Sequence, residues 1–337
     1  MRFKRIGKQS ILFNHPPKII STASVVGPKE GEGPLKETFD LIIKDNLFGE
    51  KSWEKAESKI LQEAVRIALE KVKLNREEID LFLAGDLLNQ TISANFAARQ
   101  LGIPFFGLYG ACATLVEGLI LGSVLIDGAY AENIIAAVSS HHDTAERQFR
   151  FPREMGHQRP VTAQWTVTGA GAIILAKGEK GPRITGATVG KVVDFGIKDQ
   201  NDMGSAMAPA AADTIIRNFR DTNTGPDDFD LIVTGDLALI GKTLAQQLIE
   251  REGYILGDKF TDCGLLIYDP VQDTHAGGSG CGCSAVVTCG YLLDSMKSGK
   301  YKKIMLVGTG ALLSPLSILQ GESIPGIAHA VVIENFI

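Results

Sequence analysis

No apolar run in this chain of 337 residues approaches the roughly 20 needed to span a bilayer; the longest are around ten and are broken by charges such as Glu117 and Asp127. No membrane-crossing segment is expected. Positive charge is short as well: 34 Lys and Arg against 39 Asp and Glu leave a net charge of −5, without the basic face that nucleic acid demands. Nucleic-acid partners are excluded on that ground. The start, MRFKR, is followed by Gly, Lys, Gln and Asn rather than an apolar stretch, so synthesis in the cytoplasm without a secretory signal is expected. Cysteines number five, odd and few for a chain too large to need disulfide staples, which fits a reducing compartment. Cys281, Cys283 and Cys289 lie close together but lack the spacing of a zinc site, and no metal centre is expected from them. Gly277 to Gly280 lack the lysine of a phosphate loop and the spacing of a dinucleotide fingerprint; close backbone packing is the better reading.

What the chain does have is an internal repeat. Asp80 to Leu87 (DLFLAGDL) returns 150 residues later as Asp230 to Leu237 (DLIVTGDL). Glu132 to Ser140 is matched by Lys302 to Gly310, and Gly169 to Lys177 by Gly326 to Glu334. A period this long is not a solenoid unit. It implies two half-chains on one plan, residues 1–180 with a covering loop at 141–165, and residues 181–337, sharing one core. Each half alternates Val/Ile/Leu runs with helical stretches, the pattern of a mainly parallel sheet covered by helices. A helix is predicted from Ser52 to Leu74, where Ala56, Ile60, Ala64, Ala68 and Val72 recur every four residues behind a Ser52 N-cap. Strands are predicted near 19–26, 79–84, 103–108, 133–139 and 166–176, then 184–193, 230–234, 263–268, 303–308 and 327–335.

The segment from Ile103 to Gly118 reads as strand, tight turn and helix, with Cys112 at the helix start. Free N–H groups and the helix dipole there favour a thiolate, which would make Cys112 a nucleophile. A buried cysteine acting as a small hydrophobe fits the segment equally well. Asp86 and Asp236 end equivalent strands, where ligands of such sheets collect and where two carboxylates could hold calcium. The simpler reading is a Gly-Asp-Leu turn with each aspartate capping the next helix.

A duplicated βαβαβαββ chain with its cysteine at this helix start resembles the thiolase superfamily, including the ketoacyl synthases, over nearly its whole length. The resemblance implies an α/β fold in a layered α/β/α/β/α arrangement. It further implies an acyl-carrying cysteine at Cys112, a histidine in the second half, and pairing of two copies through the strand matching Ile103 to Leu108. Asp273 to Gly280 looks like the thiolase His-Pro-x-Gly-x-Ser-Gly loop, shortened by one residue, which makes His275 the surviving histidine. The departures matter. Where the synthases read close to His-Gln-Ala-Asn, this chain has Gly235-Asp236-Leu237-Ala238, and the C-terminal Cys-x-Gly-Gly-Gly loop is replaced by Val307 to Leu312. A missing general base typically costs 10² to 10⁴ in rate.

The runs His141 to Glu154, Gly156 to Gly171 and Ser52 to Glu57 are foreign to ordinary thiolases. They resemble a sporulation branch of the superfamily that is implicated in binding dipicolinic acid and moving it, with calcium, into the developing spore. That resemblance implies a non-catalytic protein of spore uptake and germination release, peripheral to the spore inner membrane and working with membrane proteins of one channel complex. Arg147, Arg150, Arg153 and Arg159, together with Cys112, His275, Asp86 and Asp236, are the candidate ligand groups, since a planar dianion wants Arg forks or a histidine. No cofactor is expected beyond calcium arriving with the ligand. Two rivals remain: an acyltransferase using Cys112 and His275, and a structural adaptor that binds nothing small.

Overall fold

The computed structural model describes residues 4–149, 159–178 and 181–336. Ten strands form its core. In the first half they are β1 (Lys18–Val26), β2 (Leu81–Gly85), β3 (Phe105–Gly107), β4 (Asn133–Ser140) and β5 (Gly169–Ala176). In the second half they are β6 (Gly181–Thr188), β7 (Leu231–Thr234), β8 (Phe260–Asp262), β9 (Lys303–Ala311) and β10 (Gly326–Phe336). The first five lie in the order β3-β2-β4-β5-β1 and the second in the order β8-β7-β9-β10-β6, the same permutation twice. Within each set three strands run parallel, and the last two are antiparallel. Even the irregularities repeat: β1 shifts register between Ile19 and Ser21, β6 between Ile184 and Gly186. The two sets meet at a single pair, Arg183 opposite Lys18.

Seven helices cover and separate them: α1 (Trp53–Val72), α2 (Ile92–Leu101), α3 (Thr114–Asp127), α4 (His142–Phe149), α5 (Met203–Thr222), α6 (Ala238–Arg251) and α7 (Cys281–Val287). Helices α1 and α2 pack on the outer face of the first sheet, and α5, with α6 against it, on that of the second. Between the sheets run α3, touching β2 and β4 on one side and β9 and β10 on the other, and α7, against β1, β4 and β5. This is the α/β/α/β/α layering of the thiolase fold. A helix with apolar residues on nearly every side, as in α3, is stable only when so enclosed. Helix α1 starts where the periodicity places it, the Ser52 hydroxyl accepting from the Lys55 N–H at 3.4 Å.

One expected strand is absent: Cys263–Leu266 is a helical turn, and the strand precedes it at β8. Asp262 causes the switch, its side chain accepting from the Gly264 N–H at 2.9 Å and so capping a turn where apolar content alone suggests extension.

Layers this close need small residues where helix meets strand. A Cβ on Gly171 of β5 would lie 2.7 Å from the Ala285 Cβ and 2.8 Å from its carbonyl oxygen on α7. Gly171→Ala should therefore lower stability by about 1–3 kcal/mol in chemical denaturation, as overpacking of a buried interface does.

Candidate functional site

Cys112 stands on a sharp bend between β3 and α3. Ala111 takes a positive φ of 50°, and the Thr114 hydroxyl fixes the bend by donating to the Ala111 carbonyl at 2.6 Å while accepting from the Gly110 N–H at 3.0 Å. The side chain is 7% exposed and faces a narrow cavity between the two halves, with about 40 Å³ open to the centre of a water molecule. Tyr109, Phe149, Leu87, Met203 and Leu313 make most of its wall, with Thr166 and Ser279 adding hydroxyls. Among the described residues no Lys, Arg or His lines it.

Directly behind Cys112 lies Asp236, buried and fully engaged. Its carboxylate accepts from the Thr309 hydroxyl at 2.6 Å, the Gly280 N–H at 3.0 Å and the Ser279 hydroxyl at 3.3 Å. Gly280, with φ of 96°, can turn its N–H to this carboxylate because no Cβ obstructs it; one would lie 2.8 Å from the Ser140 hydroxyl. Burial first, then the Asp236 charge and Cys281, push the Cys112 thiol well above its ordinary range. The thiolate expected from helix-start geometry is thus overturned: removal from water and a carboxylate neighbour outweigh the end of a dipole. Burial also raises Asp236.

The two repeated aspartates have diverged. Asp86 caps its loop, accepting from the N–H of Leu88 at 2.8 Å and of Ala94, in the first turn of α2, at 2.7 Å. Asp236 caps nothing; Asp262 does that duty for α6, accepting from the N–H of Leu237 at 2.8 Å and Ala238 at 2.9 Å. His275 lies outside the cavity wall. Its loop is pinned where Ala276 donates to the Ala163 carbonyl at 3.0 Å and accepts from the Leu239 N–H at 2.9 Å, and the imidazole is 3.7 Å from Asp273. The expected dyad of Cys112 and His275 is not assembled in this arrangement. Arg147 pairs with Glu54 and covers the Trp53 ring, and Arg159 donates to the Gln164 carbonyl and covers Trp165. Neither lines the cavity, because each finds a carboxylate, carbonyl or aromatic face nearer by. Arg150 and Arg153 lie outside the described residues.

The cavity opens past Tyr109, Phe149 and Leu313, which border both spaces, into an outer cleft of about 470 Å³. There Asn89, Gln90, Thr91, Gln148 and Ser314 add uncharged polar groups to a lining completed by Leu88, Gly107, Leu312 and Pro315. Gln90 and Thr91 both hold positive φ, 56° and 47°, conformations that cost non-glycine residues free energy and cluster at ligand sites. Gln148 stitches the two walls together, accepting from the Asn89 N–H at 2.9 Å and donating to the Leu87 carbonyl at 3.1 Å. Sequence reasoning missed Tyr109 and Phe149; their signal was the placing of one aromatic three residues before Cys112 and another within the unusual run after β4.

Comparison with known proteins places this geometry. The family model for stage V sporulation protein AD matches residues 7–334. The chain belongs to that family. It is 51% identical over 332 residues to the stage V sporulation protein AD of Bacillus subtilis (strain 168), with 98% of each chain covered. Among solved structures it resembles cerulenin-bound OleA of Xanthomonas campestris, with a TM-score of 0.64 at 14% identity over 96% of this chain and 100% of that one. It also resembles 3-oxoacyl-[acyl-carrier-protein] synthase III of Aquifex aeolicus VF5, with a TM-score of 0.58 at 14% identity over 94% and 99%. These likenesses establish a thiolase-like fold for this member of the stage V sporulation protein AD family. None of its helices among the described residues is long and apolar enough to cross a membrane.

A second buried carboxylate pair supports the walls of the site. Glu57 of α1 accepts from the Ser139 hydroxyl at 3.1 Å and from the Thr144 hydroxyl of α4 at 2.8 Å. Burial, reinforced by the Asp86 charge, pushes Glu57 up to about 8, and burial pushes Asp86 up to about 6. Unfolded, Glu57 ionises near its ordinary value of about 4.3, so between there and about 8 the folded state holds the extra proton and stability falls as pH rises. Glu57→Gln should remove that slope, raising the melting temperature at pH 8 far more than at pH 5. Cys112 yields a second check: intact mass after iodoacetamide at pH 7.5 should show it almost unlabelled, and Asp236→Asn should speed its labelling by removing the charge that keeps it a thiol.

Proposed function

We propose that this protein has given up the acyl chemistry of its fold and binds dipicolinate, accompanied by calcium, in the cavity and cleft at Cys112, serving its uptake into the spore and its release in germination. The observation that carries the reading is the buried Asp236 network: a carboxylate held by Thr309, Ser279 and Gly280 stands behind a protonated Cys112, with no imidazole on the wall among the described residues. That arrangement binds; it does not activate a nucleophile. The cavity is too narrow for a whole pyridine dicarboxylate, so its ring would rest between Tyr109 and Phe149, where aromatic faces supply dispersion and stacking. Its carboxylates would then meet the amides and hydroxyls of Asn89, Thr91, Gln148 and Ser314.

Charge decides the form of the ligand. A bare dianion near buried Asp236, without a cation on the wall, is penalised by both desolvation and repulsion. Calcium takes six to eight oxygens, and as a partner of the dianion it cancels both penalties. Arg147 and Arg159 face other partners, and a metal bound with the ligand supplies the charge they do not. Peripheral association with the spore inner membrane and docking on membrane proteins of one channel complex belong to the same reading. A homodimer is supported by β3, an edge strand whose Phe106 is 57% exposed and so offers unpaired backbone groups to a second copy.

Calorimetry of the purified protein with dipicolinate tests this. One-site binding that requires or is strengthened at least tenfold by calcium, and is weakened by Tyr109→Ala, supports the reading. No heat with calcium present or absent sinks it and leaves the adaptor role. An acyl adduct on Cys112 after incubation with acyl-CoA, absent in Cys112→Ala, would instead establish the acyltransferase.

A further inference from the structure

At the end of the strands opposite Cys112, the two sheets meet at their single residue pair, and that pair is Lys18 opposite Arg183. Like charges directly opposite on antiparallel strands destabilise a sheet. Among the described residues neither side chain takes part in a salt bridge, although the chain as a whole is acidic. Arg183 lies over the Phe336 ring at 4.5 Å, and its Nε is buried with no hydrogen-bond partner. It also lines a cleft of about 470 Å³, together with Asn14, His15, Lys177 and Gly178. The Lys18 side chain packs where Gly178 and Gly181 leave room: a Cβ on Gly178 would lie 2.8 Å from its Cδ.

Among the described residues that line this cleft one carboxylate, Asp127, is already matched, and Glu334, opposite Arg183 on β10, pairs with Lys303 at 3.4 Å. Lys4 pairs with Asp127 at 2.8 Å and the His15 N–H donates to it at 2.8 Å. Lys177 has only the exposed Glu132, at 3.5 Å, a contact worth little in water. His15, Lys177 and Arg183 thus line one concavity, and Lys18 stands beside it, opposite Arg183 on the neighbouring strand. Beside the cleft Phe336, 41% exposed, stacks on Arg183, and Tyr130, 82% exposed, directly follows the cleft-lining Ala129 in the chain.

We infer that this cleft is a second ligand site, independent of dipicolinate binding, that takes the phosphate group of an anionic ligand. Arg183 and Lys177, which line the cleft, hold the phosphate oxygens, and Lys18 beside Arg183 adds a third positive charge; guanidinium and ammonium groups bind phosphate through charge-assisted hydrogen bonds. The exposed rings of Phe336 and Tyr130 suit a phospholipid headgroup presented by a bilayer, where each basic side chain near the surface adds to binding. A soluble phosphate ester offers the same oxygens.

The test has two arms. Cosedimentation with phosphatidylglycerol and with phosphatidylcholine vesicles reads the lipid, and thermal shift with inorganic phosphate and glycerol 3-phosphate reads the soluble anion. Proteins compared are the full chain, Lys18→Gln with Arg183→Gln, Arg183→Lys, and Lys36→Gln as a charge control remote from the cleft. Circular dichroism confirms that each is folded. Binding to phosphatidylglycerol but not phosphatidylcholine, lost roughly tenfold or more in the double variant and kept in Arg183→Lys and Lys36→Gln, supports the site with lipid as its source. Stabilisation by the soluble anions alone, with the same variant pattern, supports it with a free ligand. Binding in neither arm, or a folded double variant that binds as the full chain does, overturns it.

Discussion

The Asp236 carboxylate is the contact on which the rest of the site depends. It belongs to the loop after β7, yet its oxygens accept from Thr309 on β9 and from Ser279 and Gly280 before α7. Its own backbone carbonyl accepts from Gln164 at 2.8 Å. Four segments are thus fixed around one buried group. Such a group is costly to bury and becomes tolerable only when every lone pair is satisfied. The position that supplies chemistry in the ketoacyl synthases therefore supplies geometry here. Burial and the neighbouring Asp236 hold Cys112 as a thiol.

This constraint also sets the electrostatics. Glu57, Asp86, Asp236 and Asp262 are all buried, and burial raises every one of them. Their lone pairs are turned inward, to backbone N–H groups and hydroxyls, rather than toward the cavity. The wall that a ligand meets is consequently apolar near Cys112 and neutral-polar beyond Tyr109 and Phe149. Among the described residues that wall offers dispersion and hydrogen-bonding groups and no cation.

The duplicated plan was legible in the chain because both copies keep the pattern that burial demands. Asp80 and Asp230 start equivalent strands, Gly169 and Gly326 open equivalent antiparallel ones, and strand order repeats accordingly. Cys112 at its bend was legible for the same reason. What could not be read were interactions between residues distant in sequence. Asp236 looks like a local helix cap because Gly-Asp-Leu is a turn, but Thr309 and Gly280 reach it first, while Asp262, 26 residues on, takes the cap. The arginines suggest anion forks, but Arg147 finds Glu54 nearly a hundred residues away. His275 matches a motif, but a loop one residue shorter, with positive φ at the histidine itself, turns the ring toward Asp273.

The same separation of roles extends to the whole molecule. Parallel strands in each half carry their C-terminal ends toward Cys112 and their N-terminal ends toward the Lys18 and Arg183 junction. At the first end carboxylates are buried and cations are absent from the wall; at the second, cations line a cleft and its one carboxylate is spoken for. Duplication explains why both ends are shared by the halves: wherever two copies of one sheet abut, residues from each must settle the charge between them. At Cys112 that settlement is an inward-facing hydrogen-bond network. At the opposite end Lys18 and Arg183 stand opposite each other, beside the pairing of Ser10–Leu12 with Gly186–Thr188, and among the described residues neither takes part in a salt bridge; an anion in the adjoining cleft would relieve that like-charge contact.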